Sequence, residues 1–249
     1  MARCSRRRVH ITQRDKDLFE YLFLQKVATA TQVRLDIFGT QNHDAVVRRL
    51  KSLVDGGYLK RFNTETSRLR LAYGLSDLAF NKYLSSRLER SWKQLKSESV
   101  QHDIALVDIR RRLQRSRKVL KIVTENGLES SFDCPAGLPL QPFIEMHSDA
   151  AIIFKNYGKT FNVALEFENS SQNRTHYEKH FRGYHLRHQV HAVIYIVRET
   201  SWVLRLAEIE RACSQSEQSK IFFGTLEQVL NLSAPLYFKN STGEILKFE

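Results

Sequence analysis

The sequence predicts an α+β protein built from two unlike parts. Charge is the first observation: residues 1–125 carry 27 Lys and Arg against 13 Asp and Glu, a net of +14, whereas residues 126–249 carry 12 against 14, a net of −2. Hydrophobic spacing is the second. Apolar residues recur at helical intervals through most of the front part, and from Val119 onward strand-like runs alternate with helical ones. A basic, helical front part and a mixed α/β back part are therefore expected.

Composition narrows the class of protein. The chain has 249 residues, a formal charge of +12 and three scattered cysteines, and an odd number without metal spacing argues against a disulfide framework. No apolar run reaches membrane-spanning length, and the start of the chain lacks the hydrophobic stretch of a secretory signal. We therefore expect a cytoplasmic protein without a membrane segment, whose basic front part binds a polyanion.

Three short helices are expected at the front. Thr12-Gln-Arg-Asp15 has the form of a capping box, which opens a helix that runs to about Leu24. A second helix, Thr31 to Phe38, is stopped by Gly39. The third begins near Gln41 or Asn42 and ends at Gly56-Gly57.

The third helix has two different faces, and a hairpin is expected to follow it. Its inward stripe comprises Val46, Leu50, Leu53 and Val54, and its outward face comprises Asp44, Arg48, Lys51 and Ser52. The segments Tyr58 to Phe62 and Arg68 to Tyr73 are typical of two paired strands. Three helices and a basic hairpin together predict a winged helix-turn-helix.

A winged helix-turn-helix assigns the basic residues to DNA contacts. Arg48 and Lys51 would read bases or phosphates from the third helix. Four hairpin residues would lie along the DNA backbone: Lys60, Arg61, Arg68 and Arg70. The arginines at positions 3, 6, 7 and 8 would form a basic arm. The alternative is a winged helix that docks another protein, which the net positive charge disfavours.

A helical connector is expected over residues 75–118. It comprises helices from Leu75 to Leu88 and from Ser97 to Arg117. The second helix is expected to place a dense run of arginines outward: Arg110, Arg111, Arg112, Arg115 and Arg117. These arginines would either follow a phosphate backbone or simply be solvated.

The back part is expected to be a small mixed sheet flanked by helices. Pro135 to Pro142 is predicted to be a loop, and Asn156-Tyr-Gly158 a tight turn. Strands are predicted at Lys121 to Glu125, at Asp149 to Phe154, at Val163 to Glu168, at Ala192 to Val197 and at Lys220 to Phe223. Helices are predicted at about Gln172 to Arg187 and at Ser201 to Cys213.

Three carboxylates in the back part are candidates for a metal site. Glu166 and Glu168 share one face of a strand, roughly 7 Å apart, and Asp149 would lie across the ladder from them. Burial of like charges without a cation is costly, so these acids would share a divalent ion. The alternative is a set of solvated acids on an edge strand. The apolar residues around them indicate instead a strand near the centre of the sheet.

The acids also carry a family resemblance. An Asp on one hairpin strand, followed by Glu166-Phe-Glu168 on the next and a helix behind it, resembles the restriction-endonuclease-like PD-(D/E)xK pattern, with Glu168 in the place of the lysine. This arrangement is similar to the replication-relaxation family, which includes MOB-C-type conjugative relaxases. The resemblance implies a winged-helix domain at 1–74 and a nuclease domain at 119–249, separated by the connector.

What the resemblance implies is a relaxase that binds double-stranded DNA at a plasmid or mobile-element origin of transfer and nicks one strand. Asp149, Glu166 and Glu168 would bind Mg²⁺ or Mn²⁺, and Lys179 would replace the missing lysine. Accessory mobilisation proteins and coupling proteins would be its partners.

Three alternatives stay open. The first is a covalent mechanism with Tyr184 or Tyr177 as nucleophile. It lacks the usual histidine triplet, since His185, His188 and His191 recur every third residue, a spacing that does not form one ligand set. The second is a non-catalytic regulator or replication accessory with vestigial acids. The third is a restriction-type endonuclease that cuts both strands.

Overall fold

The computed structural model describes residues 9–39, 42–63, 71–88, 97, 99–214 and 219–248. The chain divides into two compact units, one of Met1–Val107 with Ser130–Phe132 and one of Asp108–Glu129 with Asp133–Glu249. Each unit contains both helices and strands, so the expectation of a mixed α and β protein is confirmed. Within these residues, every helix falls short of the length and apolar character that crossing a membrane requires.

The first unit consists of helices around a small sheet. Its strands pair antiparallel in the order β1-β3-β2. Its elements are α1 (Gln13–Gln25), β1 (Val27–Thr29), α2 (Ala30–Val33, continued by a π-helical turn Arg34–Phe38), α3 (His43–Asp55), β2 (Leu59–Asn63), β3 (Leu71–Leu75), α4 (Asp77–Tyr83, followed by a 3₁₀ turn Ser85–Arg87) and the start of α5 (Val100–Gln114).

The local signals of the first three helices are confirmed. The Thr12 hydroxyl accepts from the Asp15 amide and the Asp15 carboxylate accepts from the Thr12 amide at 2.7 Å, which completes the capping box. The helical segment from Ala30 ends at Phe38, and Gly39 follows with a φ of 61°. Asn42 caps α3, whose Val46, Leu50 and Leu53 are buried. Strand β1 was not expected, because three residues are too few to show an alternating pattern.

A buried ion pair joins α1 to α3. Asp15 is 1% exposed. Arg49 donates from Nε to Asp15 Oδ1 at 2.9 Å and from Nη2 to the other carboxylate oxygen. The same Nη2 donates to the carbonyl of His10 at 2.7 Å. Arg49 therefore joins α3 to α1 and to the segment before it, whereas its neighbour Arg48 is exposed.

The described residues of 75–118 do not form a separate connector. Residues of α4 lie in the core of the first unit (Ala79, Phe80 and the following Leu84), and the boundary between the units falls inside α5. The outward placement of Arg110 is also wrong, since this side chain is only 5% exposed. Arg110 lies three residues from both Val107 and Leu113, which are buried, and residues three apart share a helix face.

The second unit contains a seven-stranded mixed sheet in the order β10-β9-β8-β7-β6-β5-β4. β4, β5 and β6 pair antiparallel, whereas β6, β7 and β8 pair parallel. Its elements after α5 are β4 (Val119–Thr124), α6 (Glu125–Ser130), α7 (Leu140–Glu145), β5 (Ala150–Asn156), β6 (Lys159–Glu168), α8 (Arg174–Leu186), β7 (Ala192–Val197), α9 (Thr200–Cys213), β8 (Ile221–Thr225), α10 (Leu226–Leu230), β9 (Tyr237–Asn240) and β10 (Ile245–Lys247).

The predicted strands and the two long helices of this unit are present, whereas its three short helices and the strands β9 and β10 were not predicted. β7 has the predicted bounds, and α8 and α9 differ from prediction by at most two residues at either end. The structure places α7 within the predicted Pro135–Pro142 loop and its continuation, with Pro142 in the first helical turn, where proline is tolerated. Helices of five or six residues contain too few turns to show a period, which explains why α6, α7 and α10 escaped prediction.

One face of the sheet positions the candidate acids. Ala164 and Glu166 are paired in parallel register with Val193 and Tyr195 of β7. The helices α8 and α9 cover this face through residues such as Tyr177, Phe181 and Leu206. Glu166 therefore lies in the interior of a layered α/β structure and not on an edge strand.

Candidate active site and nucleic-acid surface

Asp149 lies immediately before β5, where two main-chain contacts fix it. Its carbonyl accepts from the amide of Glu125 at 3.1 Å. Its carboxylate Oδ2 accepts from the amide of Phe167 at 2.7 Å. Because Phe167 separates the two glutamates on β6, this bond places Asp149 beside both of them. The side chain is half-buried.

Glu166 is the most enclosed of the three acids, with 8% exposure. Its Oε1 accepts a hydrogen bond from the hydroxyl of Tyr184, which lies 2.6 Å from the Ser148 hydroxyl. Burial raises the pKa of Glu166 well above its usual range, and the charges of Asp149 and Glu168 raise it further. The hydrogen bonds from Tyr184 and Ser148 oppose that shift without cancelling it.

Glu168 is the last residue of β6 and is half-buried. Its charge acts on the pKa of Glu166 and, with that of Glu166, on Tyr195. The structure thus brings Asp149, Glu166 and Glu168 together around the end of β6. Among the described residues, however, no three His, Cys, Asp or Glu side chains converge closely enough to form a metal cluster by themselves.

Lys179 does not stand where the predicted role requires. It is exposed on α8, whereas the buried stripe of that helix comprises Tyr177, Phe181 and Tyr184. A residue two positions after Tyr177 lies about 200° around the helix from it. Lys179 therefore faces away from the acids.

His180 lies on the side of α8 that Lys179 was expected to occupy. Its ring packs 5.1 Å from Tyr184 and 6.1 Å from Tyr195, centroid to centroid. Nε2 is 3.3 Å from the Met146 carbonyl, which can only accept, so this nitrogen carries the proton. Burial lowers the pKa of His180, while the Met146 bond and the charge of Asp149 oppose that shift. The aromatic stripe of α8 was the sequence signal that could have identified this histidine.

The two tyrosines considered as nucleophiles are buried. Tyr184 has no exposed surface, and its pKa is raised well above 10 by burial and by Glu166. Tyr177 is 2% exposed, its hydroxyl accepts from the Gln172 amide at 3.0 Å, and burial raises its pKa. A neutral, enclosed phenol is a weak nucleophile, so the geometry disfavours covalent tyrosine chemistry.

The three histidines spaced every third residue have separate environments. His185 contacts the buried Glu210 at 2.9 Å. His188 is exposed, and Nδ1 of His191 accepts from the amide of Asn162 at 2.9 Å. Among the described residues, these histidines do not converge into one ligand set.

The first unit exposes part of the predicted basic surface. Arg48 and Lys51 are exposed on α3, opposite its buried stripe, and Arg61 is exposed on β2. Lys60 is half-buried and forms an ion pair with Asp77 at 3.2 Å, which reduces its availability to a phosphate. The remaining predicted contacts lie outside the described residues: Arg68, Arg70 and the arginines at positions 3, 6, 7 and 8.

Comparison of the chain with models of known protein families, with curated proteins and with solved structures finds no match in any of the three.

Proposed function

We propose that this protein is a metal-dependent DNA-nicking enzyme. The first unit would bind double-stranded DNA, and the second would cleave one strand. The observation that carries the proposal is the position of Glu166, a buried carboxyl group next to Asp149 and Glu168 on a central strand. A buried carboxyl group whose pKa is raised by neighbouring acids is a frequent feature of functional sites.

The order of elements supports this proposal in both units. The second unit begins with the helix α5, which is followed by three antiparallel strands, β4, β5 and β6. The helix α8 and the parallel strand β7 come next, and the short helices α6 and α7 interrupt the series. That order suits a restriction-endonuclease-like domain, with Asp149 directly before its second strand and both glutamates on its third. In the first, α1, β1, α2, α3, β2 and β3 follow in the order of a winged helix.

The donor set fits a hard divalent cation. Mg²⁺ commonly binds one or two carboxylates and completes its coordination with water and substrate phosphate oxygens, so three converging protein ligands are not required. After burial, the charge of Asp149 is the largest cause of the raised pKa of Glu166, and the charge of Glu168 contributes less. We propose these two as the ligands of Mg²⁺ or Mn²⁺, with Glu168 as a third ligand or a group that orients water.

Each residue of the site has a distinct task in this scheme. A bound cation would supply Lewis acidity that stabilises charge on the scissile phosphate and activates water. Asp149 is held in place by the Phe167 amide. Glu168, less buried than Glu166, can accept a hydrogen bond from a water molecule at the end of the strand. Lys179 has no part, because it faces away.

Supercoiled plasmid DNA provides the test. With Mg²⁺ or Mn²⁺ present, we expect the protein to convert it to the open-circular form without linearisation, and EDTA to stop the reaction. Linear product would indicate a restriction-type endonuclease. An SDS-stable protein–DNA adduct would indicate covalent tyrosine chemistry. Activity that persists in EDTA would contradict the metal site.

A relaxase acting at an origin of transfer, with accessory mobilisation and coupling proteins as partners, is the biological role we propose for this activity. Preference for nicking plasmids that carry such an origin over matched plasmids without one would support that role. Equal nicking of both would contradict it.

A DNA-binding regulator without catalysis is the second candidate. The absence of a converging three-ligand cluster among the described residues and the outward position of Lys179 favour it. DNA binding without nicking under any divalent metal would establish this candidate over the enzyme.

DNA affinity should depend on the exposed face of α3. We expect Arg48→Ala and Lys51→Ala each to weaken binding by about 1–3 kcal/mol if the side chain contacts a base. A phosphate contact would instead reduce the slope of log K against log salt by about one unit. Fluorescence anisotropy at several salt concentrations measures both quantities. Asp44→Ala, on the same exposed face but acidic, is the control, and we expect it not to weaken binding. Unchanged affinity and slope in both basic variants would exclude α3 as the DNA-contacting helix.

A further inference from the structure

We propose that Tyr184 is a positioning residue that, together with Ser148, orients the Glu166 carboxylate for a divalent cation. This inference rests on the proposed function. It gives the tyrosine a role through Glu166 and not as an attacking group.

The contacts define a three-residue chain. The Tyr184 hydroxyl donates to Glu166 Oε1, and the Ser148 hydroxyl lies 2.6 Å from the Tyr184 oxygen. All three side chains are buried, with exposures of 0% for Tyr184, 1% for Ser148 and 8% for Glu166. Ser148 directly precedes Asp149, so this series of hydrogen-bonded side chains links the positions of both proposed metal ligands.

The chemistry suits an orienting role. A carboxylate offers about four lone-pair sites, so hydrogen bonds from the protein leave others available to a cation. Partners that hydrogen-bond to a metal ligand fix its orientation, and their loss typically weakens metal binding. Tyr184 is well placed for this, because its ring is anchored in the core of the unit between α8 and the sheet.

Tyr184→Phe is the direct test, since it removes one hydroxyl and keeps the ring in the core. Thermal unfolding of the full chain is followed across a Mn²⁺ titration, because a ligand that binds the folded state raises the melting temperature according to its affinity. We expect Tyr184→Phe to shift the titration midpoint to about 10- to 100-fold higher Mn²⁺. Ser148→Ala should shift it in the same direction by less. In the nicking assay, excess Mn²⁺ should restore much of the activity of Tyr184→Phe.

Tyr195→Phe is the matched control. Tyr195 is a buried tyrosine paired in register with Glu166, yet the hydrogen bonds that reach Glu166 come from Tyr184 and Ser148. We expect its Mn²⁺ midpoint to stay at the wild-type value. A purely structural role for the Tyr184 hydroxyl would lower the melting temperature at every Mn²⁺ concentration and leave the midpoint in place.

The outcomes separate this inference from the function on which it rests. If the wild-type protein neither responds to Mn²⁺ nor nicks DNA, both are overturned. If the wild type responds and Tyr184→Phe has an unchanged midpoint, only the positioning role is overturned. A covalent DNA adduct of the wild type that Tyr184→Phe loses would likewise overturn it, in favour of a nucleophilic tyrosine.

Discussion

Asp149→Asn and Glu166→Gln are each expected to abolish nicking of supercoiled DNA while DNA affinity stays at the wild-type level. Each substitution removes the negative charge that would hold the cation and keeps a side chain of nearly the same shape. Stabilisation of a phosphoryl transition state by a metal contributes several kcal/mol, so the rate should fall at least about 1000-fold. Initial nicking rates at saturating Mg²⁺, with anisotropy on the same preparations, measure the two effects separately.

The stability of Glu166→Gln is the check against unfolding as a trivial cause. The pKa of Glu166 is raised in the folded protein. Its contribution to stability is therefore fully present below about pH 4.3, the pKa of an unfolded glutamate, and is lost as the pH rises through the higher folded value. Glutamine does not titrate, so without metal the advantage of the variant over the wild type should grow as the pH rises from about 4 to 8.

Glu178→Gln is the control for general loss of charge. Glu178 is on α8 and forms an ion pair with Arg174 at 2.7 Å, outside the proposed site. It should nick at the wild-type rate. Wild-type nicking by Asp149→Asn or Glu166→Gln would exclude the altered acid from catalysis, and simultaneous loss of DNA affinity would point to a defect in folding.

Arg49→Ala is expected to cause a large loss of stability in the first unit. The substitution leaves the carboxylate of Asp15, which is 1% exposed, without its cation. Removal of one partner from such a pair costs about 3 kcal/mol, because an uncompensated charge remains buried. The Arg49 contact also lowers the pKa of Asp15. This stabilisation is present above the unfolded pKa of about 3.9 and is lost as the pH falls through the lower folded value.

Amide hydrogen exchange of the full chain localises the effect. We expect faster exchange in α1 and α3 of Arg49→Ala and little change in the strands of the second unit. Arg48→Ala is the matched control, since it replaces the adjacent arginine, whose side chain is exposed. It should keep wild-type exchange rates while losing DNA affinity. Equal destabilisation by the two variants would contradict the division of roles between these arginines.

Local sequence patterns were sufficient for much of the fold. The capping box at Thr12, the inward stripe of α3 and the bounds of β7 depend on residues close in the chain, and all appear as expected. Alternation along β6 likewise placed Glu166 and Glu168 on one face. The short helices α6, α7 and α10 were missed because five or six residues do not establish a helical period.

Local patterns did not predict which side of α8 faces the sheet. Lys179 and His180 are adjacent in sequence, yet about 100° of helix rotation separates them. The first faces outward and the second packs against Tyr184 and Tyr195. The charge of Lys179 favours it as a catalytic cation, whereas the aromatic stripe of the helix favours its neighbour as the residue that faces the sheet. Arg110 is a second example, because it was predicted to face solvent and is buried in the structure.

By itself, the sequence determined the α+β class, the basic front part and the shared face of the two β6 acids, because charge and side-chain alternation are properties of neighbouring residues. Only the tertiary structure decided that Glu166 is enclosed with a raised pKa, that Tyr184 and Ser148 hydrogen-bond near it, and that Arg49 is committed to Asp15. These features arise from contacts between residues up to 36 positions apart. Desolvation and hydrogen bonding depend on what packs around a group, which its own neighbours in the chain do not specify.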